Sequence, residues 1–186
     1  MGNDPGAPAR NRGPGTTYSL AQPVRCGVHT GMDRTLIERY AAGATVPARG
    51  IAGLTPAELT SFPVPGTWSI QQVIMHLMDS DLIGGDRMKR IIAEDNPLIL
   101  SYNETRFAER LMYHRLGPVA ACDLFARNRA MVAALLRELP DEVFARTGVH
   151  SEKGKITLAQ TVQTYADHLD HHMKFIDAKR RALGKA

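Results

Sequence analysis

Aromatic residues are scarce in this chain: Phe, Trp and Tyr together make up 6% of 186 residues, with one Trp. A core built with so few rings has to be mostly aliphatic. Cysteine is scarcer still. Cys26 and Cys122 stand far apart, in no CxxC or zinc-ribbon spacing, which argues against a disulfide framework and fits a reduced, cytosolic protein. No apolar run approaches the roughly 20 residues that cross a bilayer. The opening "MGNDPGAPARNRGPG" also lacks the continuous apolar stretch of a secretory signal. The expectation is therefore a cytoplasmic protein with no membrane partner. Charge of one sign is missing too, the net being +4. Part of that excess lies in the last turns, at Lys174, Lys179, Arg180, Arg181 and Lys185, where cations complement the negative end of a C-terminal helix. A basic face interleaved with aromatics is absent, so no nucleic-acid partner is expected.

Alternating apolar and polar runs are also lacking beyond a few residues, so the chain shows no signal for extended strands. The length allows one well-buried domain and is short for two. Residues 1 to about 31 are rich in Gly, Pro and small polar residues and have no period. They cannot bury enough apolar surface to offset their ordering entropy, so a flexible N-terminal extension is expected there, with the folded domain over residues 32–186.

Helical signals begin at "DRTLIERYAAG", with Asp33 as N-cap and Leu36, Ile37 and Tyr40 at helical spacing. Gly43 and Pro47 break this helix, and "TSFPVPGT" is a non-helical linker. A second helix opens with a capping box, Ser69 with Gln72, and Trp68 is set to staple onto Val73. Ile70, Val73, Leu77 and Ser80 share its inner face, with His76 and Arg87 on the flank. Ser80 and Gly84 are small where a packed core favours Leu, leaving room for a cavity or for close helix contact. After a proline-punctuated connection with a short helix near Glu104–Leu111, a third helix runs from Pro118 to Pro140. Val119, Leu124, Phe125, Val132, Leu135 and Leu136 form its apolar face. A second capping box, Thr157 with Gln160, starts the last helix. The expected architecture is all-α: a four-helix bundle with two long connections.

Three of the seven histidines fall within "ADHLDHHMKF". His168 and His172 are four apart, on the edge of a stripe made by Leu158, Val162, Tyr165, Leu169, Met173 and Ile176. His171 points some 100° away, toward solvent. The i,i+4 spacing lets one helix offer two imidazoles to one ion. His76 leans inward from another helix of the same bundle. Three inward imidazoles without partners would be costly in a small core, because each ring nitrogen needs satisfying. A divalent ion removes that cost and keeps coordination positions open, as catalytic sites do.

"GTWSIQQVIMHLMDSD", "DRMKR", "GVHSEKGKITL" and "HLDHHMKFI" together resemble the DinB-like superfamily of metal-binding four-helix bundles, from about Asp33 to Lys185. The resemblance implies that His76, His168 and His172 bind a divalent ion, commonly nickel or zinc, with iron or manganese also suited to the ligand set. It also implies chemistry on a small-molecule substrate, because relatives include transferases that use low-molecular-weight thiols. A metal-dependent thiol transferase or hydrolase is the leading expectation. The alternative is a non-catalytic metal- or ligand-binding bundle acting through self-association. A homodimer is expected.

Around that centre, Arg87 could hold an anionic substrate group or pair with Asp79, Asp81 or Asp86. His150, in the loop before the last helix, could close over the site as a proton donor, and His114 has a weaker claim. Asp167 or Asp170 could orient a ligand histidine. Tyr102 and Asn103 lie in the connection that could cover one end of the bundle. Cys122 reads as a small core residue.

Overall fold

A computed structural model describes residues 32–185. The extension expected over residues 1–31, with Cys26 and His29, lies outside the described residues. The first helix is broken as its glycine and proline require. Helix α1 covers Thr35–Ala42, a tight turn covers Gly43–Thr45, and α2 covers Val46–Ile51. Arg34 rather than Asp33 holds the N-cap position. The Asp33 carboxylate instead accepts from the Thr35 backbone N–H at 3.0 Å and from its hydroxyl at 2.6 Å. Gly43 is where the chain passes closest to the core: a Cβ there would lie 2.4 Å from the Arg129 guanidinium and 2.6 Å from Leu169.

A short helix not expected from the sequence, α3 (Pro56–Thr60), stands just before the expected linker. Its capping box, Thr55 with Glu58, follows the same rule as the other two. Helix α4 (Ile70–Ala93) starts at the Ser69–Gln72 box, its reciprocal bonds measuring 3.2 and 2.9 Å. Strand β1 (Leu98–Ile99) follows, then α5 (Glu104–Arg110), capped by Asn103. Helix α6 (Pro118–Glu138) has proline in its first turn. A hairpin of β2 (Thr147–His150) and β3 (Gly154–Thr157) leads into α7 (Leu158–Ala182), capped by Thr157 and Gln160. Parallel pairing of β1 with β2 and antiparallel pairing of β2 with β3 give a three-stranded sheet, ordered β1-β2-β3. None of these strands exceeds four residues, too short to display a period of two.

The broken α1–α2 unit, α4, α6 and α7 form the four-helix bundle. Helix α4 packs on α6 and α7, and α1 packs on the same two. The core is aliphatic as expected, with Ile70, Ile74, Leu77 and Ile176 at one end and Ile37, Ile91, Leu136 and Val162 at the other. Cys122 is buried among them. The apolar face of α6 is rotated from expectation. Val119, Leu124 and Leu135 are 64%, 44% and 37% exposed, whereas Arg129 is 1% exposed. Arg129 Nε donates to Asp81 Oδ1 at 2.8 Å, its NH1 to the Tyr40 carbonyl at 3.2 Å and its NH2 to the Tyr165 carbonyl at 2.7 Å. The guanidinium sits 4.5 and 4.6 Å from the Tyr40 and Phe125 ring centres. A periodicity count cannot anticipate that a charged residue turns inward.

The small residues of α4 resolve differently from one another. A Cβ at Gly84 would stand 2.6 Å from the Tyr165 ring, so Gly84 marks close helix packing and not a cavity wall. Ser80 is buried and borders an open cleft. Among the described residues no helix is long and apolar enough to cross a membrane.

Candidate metal centre

His76 sits in the second turn of α4 and is fully buried; His168 and His172 stand one turn apart on α7 and are half-buried. The packing of α4 on α7 brings all three rings together. Their centroids are 5.0 Å (76–168), 4.6 Å (76–172) and 4.4 Å (168–172) apart. One ring nitrogen from each lies within 4.8 Å of the others. His76 Nε2 and His168 Nε2 are 3.1 Å apart. Two imidazole nitrogens on one ion at about 2.0–2.1 Å stand roughly 2.9–3.4 Å apart, for bond angles between about 90° and 109°. The observed separation falls inside that interval. Nδ1 of both His76 and His172 is buried with no hydrogen-bond partner among the described residues, so neither ring is held by another protein group through that nitrogen. The donor set therefore fits a first-row divalent ion.

The electrostatics fit as well. Burial pushes His76 down to about 4. His168 and His172 fall to about 3, chiefly by burial and then by their neighbouring imidazoles. All three rings are thus neutral near pH 7, the form that ligates a metal. The 3.8 Å approach of Glu104 Oε2 to His76 Nε2 is consequently no ion pair. The sign of the linkage follows from folded values below the unfolded value of 6.5. Stability is full above pH 6.5 and is lost as pH falls toward 4 and 3, since the unfolded chain takes up more protons there. Chelator-stripped protein is expected to lose on the order of 3 kcal/mol over this window from His76 alone. Urea titrations at pH 7 and pH 4.5, with His76→Phe as the comparison, measure it. A variant as acid-sensitive as the wild type would contradict the assignment.

Other sequence-derived candidates separate clearly. His171 is exposed, its ring edge against Phe175 at 4.9 Å. His114 is exposed in a turn at Tyr113–Arg115. Asp167 and Asp170 orient no ligand; both pair with Arg39, at 2.7 and 2.5 Å. Arg87 pairs with none of the three aspartates. Asp79 accepts from the Tyr113 hydroxyl, Asp81 holds Arg129 and Asp86 holds Arg90. Arg87 instead donates to the Tyr165 hydroxyl at 2.8 Å and to the Leu100 carbonyl. His150 ends β2 in a buried position and not in a loop. Its Nδ1 faces the backbone N–H groups of Glu152 and Lys153 at 3.2 and 3.3 Å, which leaves the ring proton on Nε2. Burial, then Arg87 and Lys153, hold its proton affinity down.

Two clefts meet the histidines. One, of about 590 Å³ with its mouth included, is bordered by Ser80, Arg87, Tyr102, His150, Tyr165 and His168. The other, of about 780 Å³, is bordered by Trp68, Val73, His172, Phe175 and Lys179. Glu104 borders both. In the sequence it stands only at the start of a short helix, and the fold-back of the 94–103 connection is what carries it to the centre.

Residues 43–176 match the family model described as the DinB superfamily. Similar proteins include a candidate metal-dependent hydrolase of Oceanobacillus iheyensis, 34% identical over 60% of this chain and 64% of that one. Another is the candidate metal-dependent hydrolase YfiT of Bacillus subtilis, 30% identical over 75% of this chain and 80% of that one. The solved structure of YfiT, described as a four-helix bundle of unusual topology, aligns with a TM-score of 0.78 at 25% identity, covering 91% of this chain and 97% of that one. A mycothiol-dependent maleylpyruvate isomerase shares the fold, with a TM-score of 0.61 at 16% identity over 76% of this chain and 59% of that one. The family match spans well over half the sequence, and this chain belongs to the DinB superfamily.

Proposed function

We propose that this protein is a metal-dependent enzyme acting on a small molecule, a hydrolase or a thiol transferase, with His76, His168 and His172 holding nickel or zinc. The convergence of three neutral imidazoles, with His168 bordering one cleft and His172 the other, carries the reading. A divalent ion bound there supplies a Lewis acid and lowers the proton affinity of a coordinated water or thiol into the neutral range. The chain's own groups divide the remaining work. Glu104, with no other polar partner among the described residues and beside His76, accepts the proton of the attacking water or thiol. His150, with Nε2 as its donor, and Arg87 offer hydrogen bonds to the oxygen that gains charge on the electrophile. Tyr165 holds Arg87 in place.

The names of the relatives favour hydrolysis, and the shared fold of the isomerase favours a thiol as the second reactant. A panel of esters, amides and electrophiles, each with and without low-molecular-weight thiols, separates the two. Glu104→Gln is expected to lower the rate about 10²-fold or more while metal content stays unchanged. A rate within a factor of about three would remove Glu104 from the reaction. Binding of metal without turnover on any substrate would favour the non-catalytic reading.

The same proposal takes the protein as a cytoplasmic homodimer. Leu124, Met131 and Leu135 are exposed on α6, and an apolar surface of this kind favours a second copy. Met131→Glu is expected to yield monomers in sedimentation; a wild type that sediments as a monomer would refute the dimer.

A further inference from the structure

Lys179 lies on the inner side of α7, two turns beyond His172, and is 2% exposed. Its ammonium donates to the Thr67 hydroxyl at 2.6 Å. No carboxylate among the described residues comes within ion-pair distance of it. An ammonium has three protons to donate, and burying its charge beside one neutral oxygen is unfavourable. Burial accordingly holds its proton affinity below the usual lysine value, with no charged neighbour contributing to the shift. The other C-terminal cations behave differently. Arg180 binds the Gly50 and Ala52 carbonyls, and Lys185 pairs with Glu58. A cation that served only to complement the helix end would be exposed, as Arg181 is.

Lys179 also borders the second cleft, the one that begins at His172. Trp68, Val73 and Phe175 give the cleft apolar walls between the two ends. Phe175 is 42% exposed, so that wall is open to an incoming molecule. Seven residues of helix separate His172 from Lys179, about 10 Å. The cleft is therefore apolar in the middle, with a metal-binding cluster at one end and an incompletely satisfied ammonium at the other. Glu104 borders it too, from α5 and beside His76.

We infer that this cleft takes an organic carboxylate whose anionic end is bound by Lys179 and whose reactive group lies roughly 10 Å away at the three-histidine centre. The carboxylate supplies the acceptors the ammonium lacks, and the carbon chain lies between Trp68 and Phe175. The identity of the reacting end rests on the proposed metal centre; recognition of the carboxylate does not.

Hexanoate and its neutral amide, hexanamide, test this with chelator-stripped and nickel-loaded full-length protein, read by thermal unfolding and by shifts of backbone amide NMR signals. Hexanoate is expected to bind saturably in both forms, and at least about tenfold more tightly than hexanamide, the margin of a buried charge-assisted hydrogen bond. Lys179→Met, of similar length and apolar, is expected to abolish that preference. Phe175→Ala, on the open wall, is expected to weaken both ligands by a few-fold and keep the preference. Equal binding of acid and amide, or a preference that survives Lys179→Met, would overturn the inference. Should nickel fail to bind while the Lys179-dependent preference persists, the metal centre is refuted and the carboxylate site stands.

Discussion

Replacing Arg129 by methionine is expected to destabilise the protein by about 3–5 kcal/mol, among the largest effects of any single substitution away from the histidines. The reason is asymmetric. Arg129 contributes a buried ion pair with Asp81 and donors for the Tyr40 and Tyr165 carbonyls. Removing it leaves Asp81 facing the core, still bonded to Asn128 at 2.8 Å but without its counter-charge. Burial pushes the Asp81 carboxyl above its ordinary range, and Arg129 is the strongest influence opposing that. In the single variant Asp81 must ionise unpaired or take up a proton, and both are costly. The pairing of Asp81→Leu with Arg129→Met is expected to recover part of the loss, since two apolar groups leave no orphaned charge. Urea unfolding of the two single variants and the double variant gives the coupling directly. A single-variant loss below about 1 kcal/mol would show that the pair does not anchor α4, α6 and α7 as described.

Replacing His168 by alanine is expected to lower affinity for nickel or zinc by more than roughly 10²-fold, beyond the usual cost of losing an outer-shell partner, and to remove turnover. The ring stands 3.1 Å from His76 Nε2 and lines the first cleft, which places it in the proposed donor set and on the proposed approach of the substrate. Metal-free stability near neutral pH is expected to change little, because among the described residues the half-buried ring's only side-chain hydrogen-bond neighbour is His76 and its contact with the Tyr165 ring is a distant edge contact at 6.3 Å. With ion in 1,000-fold excess over its dissociation constant, the wild type gains about 4 kcal/mol of stability, and the variant loses most of that gain. Chelator is expected to remove that gain from the wild type and to change His168→Ala far less. Equal metal-dependent stabilisation of both proteins would place the ion elsewhere.

How much of this was legible in the residues depended on whether the signal was local. The capping boxes at Ser69–Gln72 and Thr157–Gln160, the break at Gly43–Pro47 and the proline start of α6 are each written within four or five residues, and the structure follows them. The Thr55–Glu58 box is written just as locally, ahead of the proline-marked linker, and caps the unexpected helix α3. The i,i+4 pair at His168 and His172 is local too, and the inward stripe of α7 carries it beside His76. Features that need two distant segments were not legible. Arg129 reads as a surface residue until Asp81, Tyr40 and Phe125 surround it. Gly84 admits a cavity until the Tyr165 ring is seen against it. His150 reads as a loop residue because β2 pairs with β1, some fifty positions earlier in the chain. Glu104 and Lys179 acquire chemical meaning only from the clefts that they border.

In the proposed metal centre, α4 and α7 together hold one ion through three imidazoles. X-ray absorption at the nickel edge, on protein loaded with one equivalent, reads that ligand set itself. One ion per chain is expected, with scattering from three histidine rings at about 2.0–2.1 Å, and one ring fewer in His76→Ala with the ion weakly held. An ion bound with the same histidine scattering in His76→Ala, or a wild-type chain that takes up no ion, would contradict it.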